Sequence, residues 1–179
     1  FRVILNTKGI GLRDRPDVLR HIDTLVLSVD ALDPVRLGTV TTMGEPAARR
    51  VLDALEFLKE HTTTHTRPMV VLSAVAMPEN IADVRAVLAC AAEHGMGFHL
   101  SPELQGTGAN PALRGSSEYR ELVEYARIHK QRGTRVLGID AYLCGELERG
   151  MQKWQTHQLP LFPYESRHGR ITHIAFSYL

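Results

Sequence analysis

The sequence predicts an α/β protein built on a parallel sheet, and three observations carry that expectation. Short apolar, β-branched runs recur at Val3–Leu5, Leu25–Leu27, Met69–Val75, Phe98–Leu100 and Val136–Leu137. Amphipathic helical patterns lie between them. The chain has 179 residues and is 44% hydrophobic, which suffices for one sizeable core. Apolar runs without strict alternation read as strands buried on both faces. A β-α-β-α-β-α-β-α-β order argues for parallel neighbours joined by right-handed crossovers. Pattern alone leaves two architectures open, a doubly wound sheet and a section of a barrel. In both, function gathers at the C-terminal ends of the strands.

Taken in order, 1-FRVILNT-7 opens the chain in strand pattern, and a short helix is expected over Pro16–His21. The second strand lies in 24-TLVLSVDALDP-34, which turns at Asp33-Pro34. In 47-AARRVLDALEFLKEH-61, Val51, Leu52, Leu55 and Leu58 form one apolar stripe, and Arg49, Arg50, Glu56, Lys59 and Glu60 supply the wet face. The stretch 61-HTTTHT-66 reads as a solvated loop. In 80-NIADVRAVLACAAEHG-95, Asn80 is the expected N-cap, Ile81, Val84, Val87, Leu88 and Ala91 the buried stripe, and Gly95 the end. In 117-SEYRELVEYARIHKQRG-133, Ser117 caps, Tyr119, Leu122, Val123 and Ala126 face inward, and Gly133 closes. After Leu143 the pattern weakens, dividing the chain into a domain over 1–143 and an extension over 144–179. The extension has prolines at 160 and 163, a turn at His168-Gly169 and an alternating run Ile171–Phe176, so a hairpin or an added strand is expected there.

Composition narrows the function. Twenty-one Lys and Arg balance twenty Asp and Glu, so nothing basic points to nucleic acid. No run of eighteen apolar residues suggests a membrane span, and the N-terminal residues do not read as a signal peptide. Two cysteines, Cys90 and Cys144, make no disulfide framework, which fits a cytoplasmic protein. Cys90 lies in a helical apolar pattern and reads as a core residue. The mid-strand opening at Phe1 suggests that an N-terminal segment of a larger polypeptide is missing.

The strand ends carry the chemistry. Asn6-Thr7-Lys8-Gly9, Ser28-Val29-Asp30, Ser73 to Asn80 and Ser101-Pro102-Glu103 each place polar groups directly after an apolar run, and all would open onto one rim. Ser28 and Asp30 point to the same side of the strand, since alternate residues share a face. A carboxylate can hold a ribose diol and the serine adds a further bond. Equally, the pair can cap the next helix, and spacing leaves both readings open. Among nine histidines no pair has a metal-binding pattern with a third ligand, and His99, within a strand, is the one placed to reach a pocket. The glycines of 105-QGTGANP-111 read as a flexible rim loop. Neither a P-loop nor a Gly-x-Ser-x-Gly elbow occurs.

The ordered set of strand ends resembles the core domain of the radical S-adenosylmethionine (SAM) superfamily, in its C-terminal two-thirds. The similar segments are 3-VILNTKG-9, 25-LVLSVDALDP-34, 51-VLDALEFLKE-60, 69-MVVLSAVAMPEN-80 and 93-EHGMGFHLSPELQGTG-108, covering about residues 1–143. The resemblance implies a partial (βα)6 TIM-like barrel, N-terminally truncated. It also implies SAM bound at a [4Fe–4S] cluster and cleaved reductively to a 5′-deoxyadenosyl radical. By the same resemblance Ser28 and Asp30 would contact the ribose or amino-acid part of SAM and Val75 would pack on the adenine. His99, Leu100 and Ser101 would lie beside it. The family's Cys-x-x-x-Cys-x-x-Cys loop and its Gly-Gly-Glu-like turn are absent from this sequence, and Lys8 stands where the family has asparagine. The resemblance therefore implies a fragment, inactive by itself, whose cluster ligands belong to the preceding segment. Two alternatives remain: a nucleotide-binding α/β module, and a cluster-less relative serving as partner or scaffold. The substrate is not readable from the sequence.

Overall fold

The computed structural model describes residues 1–61, 68–105 and 108–137, together with 165–166 and 169–170. Five strands, β1 (Ile4–Thr7), β2 (Thr24–Ser28), β3 (Met69–Ala76), β4 (Gly97–Pro102) and β7 (Val136–Leu137), form one sheet. Its spatial order follows the chain, β1-β2-β3-β4-β7, and every neighbouring pair is parallel. A doubly wound sheet reverses its order at a switch point. This one does not reverse, and among the described residues β1 and β7 are its edges.

The crossovers contain α1 (Pro34–Val40) and α2 (Glu45–His61), α3 (Ile81–Glu93), and α5 (Ser117–Gln131). Right-handed crossovers that always step the same way lay their helices on the same side of the sheet. The burial pattern agrees. Leu25, Leu27, Val70, Leu72, Ala74, Phe98, Leu100 and Val136 share one face by register, and all join a single core with side chains of α2, α3 and α5. Val71, on the opposite face, is buried but stands outside that core. The expectation of strands buried on both faces is therefore corrected. Only Val70, Val71 and Leu72 of β3 form a fully buried run, and among the described residues no helix lies on the second face.

Most expected elements form, with local differences. The short helix expected over Pro16–His21 forms, as a 3-10 helix. Helix α1 was not anticipated; Asp33 caps it, its Oδ1 accepting from the Arg36 N–H at 2.9 Å, with Pro34 in the first turn. Asn80 does not cap α3 with its side chain, which is turned back to the β3 end. Ser116 rather than Ser117 caps α5, its Oγ accepting from the Tyr119 N–H at 3.1 Å. Gly95 and Gly133 follow α3 and α5 in the left-handed region, with φ of 66° and 97°. At Gly38 the α1–α2 connection passes so close that a Cβ would lie 2.7 Å from the Gly44 carbonyl carbon and 2.8 Å from the Glu45 nitrogen.

The rim loop after β4 is a small hairpin, in which β5 (Leu104–Gln105) pairs antiparallel with β6 (Gly108–Ala109) and leads into the single turn α4 (Pro111–Arg114). In the extension, Glu165–Ser166 pairs antiparallel with Gly169–Arg170, next to the turn marked in the sequence. The threonine-rich loop beyond His61, Gly106, the 143/144 boundary, Cys144 and the run Ile171–Phe176 lie outside the described residues.

Candidate functional site at the strand ends

Three buried polar residues stand where β2, β3 and β4 give way to loops: Asp30, Asn80 and Asn110. Each carries out a backbone task. β2 ends at Ser28, so Asp30 is not a strand residue, and its carboxylate takes over where the ladder stops. Oδ1 accepts from the Val75 N–H at 2.8 Å, as a carbonyl of a longer β2 would. Asn80 accepts from the Met77 N–H at 2.7 Å and donates to the Val75 carbonyl at 2.9 Å and the Asp30 carbonyl at 3.5 Å. Asn110 donates to Glu103 Oε2 at 2.6 Å, and its Oδ1 accepts from the Ala112 N–H at 2.9 Å. The rim is thus held by side chains that replace lost ladder partners. No buried side-chain polar atom lacks a partner among the described residues.

One cation joins this network. Lys8 Nζ lies 3.5 Å from Asp30 Oδ2, with the lysine side chain 39% exposed and the carboxylate 7% exposed. Asp30 therefore holds an ammonium at the rim while one of its oxygens stays locked to the sheet. This arrangement corrects the reading of Asp30 as a helix cap. Asp30 does not cap the next helix, which Asp33 does, and it does not share a strand face with Ser28.

The face without helices carries the other expected residues. Register aligns Ser28, Ser73 and His99 in one row across β2, β3 and β4, and Val75 with Ser101 in the row nearer the rim. Ser28 Oγ donates to Asn6 Oδ1 at 3.4 Å, and Ser73 Oγ lies 3.1 Å from His99 Nδ1. Burial pushes the His99 imidazole below its ordinary range, which keeps it neutral at neutral pH. Val75 is exposed and presents an apolar patch beside Ser101.

The structure thus brings Ser28, Val75, His99 and Ser101 to one open face and sets Asp30 at its upper edge. Leu100 is not among them, because its side chain alternates to the helix side and is buried in the core. Sequence reasoning placed Asn6, Lys8 and Ser73 on the rim but gave none of them a contact there. Ser73 had a signal, since it ends the same apolar run as Val75 two residues earlier on the same face.

A cleft of about 320 Å³ opens at the other end of the strands, lined by Met69, Met96, Gly97, Arg132, Thr134 and Arg135 among others. It lies among the loops that lead into β4 and β7, away from the rim. Among the described residues no group of three His, Cys, Asp or Glu side chains could hold a metal ion. Cys90, the one described cysteine, faces the core from α3, and burial pushes its thiol up. No described helix is long and apolar enough to cross a membrane. No protein-family model matches the chain, and a search of curated proteins found no match either.

Proposed function

We propose that this chain is the SAM-binding part of a radical SAM-type partial barrel, with the nucleoside held at the rim between Lys8, Asp30, Ser28 and Val75. The observation that carries the reading is the strand order. Five parallel strands in unbroken sequence, with the described helices packed on one side, are what a barrel section has and what a doubly wound sheet lacks. In this reading the open face is the barrel interior. The donor set suits a nucleoside, with hydroxyls and a carboxylate for the ribose and amino-acid groups and an exposed apolar Val75 for the base.

The cluster is a different matter. The whole sequence holds two cysteines, and Cys90 is turned into the core. These residues do not fit a [4Fe–4S] cluster, so no step of radical chemistry is derived from this chain. The proposal assigns the three ligands to a preceding segment of the same polypeptide that would pair with β1. That edge presents Val3 and Ile4, 46% and 66% exposed.

The same shortage of cysteines favours a second reading, a nucleotide-binding α/β module without radical chemistry. Calorimetric titration of the full chain separates the two. Saturable binding of SAM or S-adenosylhomocysteine, in preference to ATP, is expected, with Asp30→Ala weakening it about tenfold or more. Tighter binding of ATP than of SAM selects the second reading. Absence of binding to either ligand removes both.

A further inference from the structure

We infer that the cleft at the N-terminal ends of the strands binds a small organic anion, a phosphate monoester or a carboxylate carried on a short apolar body. The cleft holds about 320 Å³, a volume suited to a small molecule, and Arg132, Thr134 and Arg135 line it together with Met69 and Met96. Its lining residues include no Asp or Glu. Among the described residues neither guanidinium forms an ion pair, and that of Arg135 rests on the Met69 thioether, a weak acceptor. Met69 precedes Val75 by six residues, about 20 Å along a strand, so this site is independent of the rim and of the reading given to it.

Both arginines stand past the end of α5, where cations commonly serve the last helical carbonyls. Backbone groups already perform that task. The Arg132, Gly133 and Thr134 N–H groups donate to the Ile128, Lys130 and His129 carbonyls at 3.0, 3.1 and 3.0 Å. At the end of α3 the His94, Gly95 and Met96 N–H groups donate to the Cys90, Ala92 and Ala91 carbonyls at 3.2, 3.4 and 2.9 Å. None of these carbonyls needs a guanidinium. A Cβ at Gly133 would meet no atom within 4 Å, so the approach beside the two arginines is open. The planar guanidinium fork matches paired oxygens of a phosphate or carboxylate. Met69, Val70, Ala92 and Met96 give the rest of the ligand an apolar wall, and the Thr134 hydroxyl adds a polar contact.

His129 provides a reporter. Its Nδ1 lies 3.4 Å from Thr134 Oγ1, and burial, then Arg132, hold its imidazole below the ordinary range. An anion beside Arg132 offsets that charge, so His129 should titrate at higher pH when the cleft is filled. The test is an NMR titration of the full chain with phenyl phosphate and with benzoate, each up to about 10 mM, following the amides of residues 133–135 and the His129 ring. At least one of the two anions is expected to shift these signals saturably and to raise the His129 pKa, and the tighter one identifies the head group. Arg132→Gln and Arg135→Gln should each weaken it about tenfold or more. Both arginines are exposed, so the variants are expected to fold. Inorganic phosphate, which lacks the apolar body, and benzyl alcohol, which lacks the charge, should each bind about tenfold less tightly. The inference is overturned by the absence of a saturable shift with either anion, by shifts that both glutamine variants leave unchanged, or by a control that binds as tightly as the anions.

Discussion

The two faces of this sheet are made from the same strands yet obey different rules. On the helix side, Leu25, Leu27, Leu72, Ala74 and Phe98 are fully buried in one continuous core. On the other side, residues one position away are Ser28, Ser73, His99 and Ser101, all half-buried, with Ser28 bonded to Asn6 and Ser73 to His99. A parallel sheet is ordinarily covered on both faces, so the difference teaches which side of this sheet carries its packing. The first face is built of apolar side chains alone, whereas the second mixes Ser28, Ser73, His99 and Ser101 with Val26, Val71 and Val75.

The strongest way to break that comparison is to cut each face at β4. Phe98→Ala removes a fully buried ring and should cost about 3–5 kcal/mol of unfolding free energy in urea titrations. Ser101→Ala, three residues on and on the other face, should cost about 0.5 kcal/mol or less. Similar losses at the two positions would mean that the open face is packed as firmly as the core.

Asp30 joins the two faces at their upper edge and should give an intermediate effect. Asp30→Ala leaves the Val75 N–H without its acceptor, for a cost of about 1–3 kcal/mol. Asp30→Asn keeps an oxygen for that N–H but gives up the charge facing Lys8. It should therefore retain most of the stability in the same urea titration. If Asn destabilises as much as Ala, the Lys8 pair, rather than the ladder bond, carries the contribution.

How much of this was legible follows from what each signal depends on. The five strands and the helices α2, α3 and α5 were readable because apolar period reports local burial, and local burial survived folding. Helix α1 was passed over although Asp33-Pro34 is a cap followed by a first-turn proline, because its seven residues offer almost no apolar stripe to read. The polar strand ends were legible as a rim. Their individual roles were not, since the role of Asp30 depends on β2 stopping at Ser28 while β3 continues to Ala76, and strand length relative to a neighbour is a tertiary property. The same holds for Leu100, grouped in sequence with His99 and Ser101 but separated from them by the pleat.

The smallest expected effect is a pH dependence, and it tests how far burial on the second face governs His99. Burial lowers the His99 pKa in the folded protein below the ordinary value of 6.5. Above that value both folded and unfolded His99 are neutral, and its contribution to stability is unaffected by pH. As pH falls through 6.5, the unfolded chain binds a proton that the folded chain does not, so stability declines towards the lowered pKa. His129 is lowered in the same direction, by burial and by Arg132, so the decline in the native protein is a sum. His99→Asn isolates one part, because its carboxamide can still reach Ser73 and does not titrate. Urea midpoints of both proteins between pH 7.5 and about 5 should converge as pH falls, the native protein losing more. Parallel curves would mean that burial does not keep the folded His99 from taking up its proton.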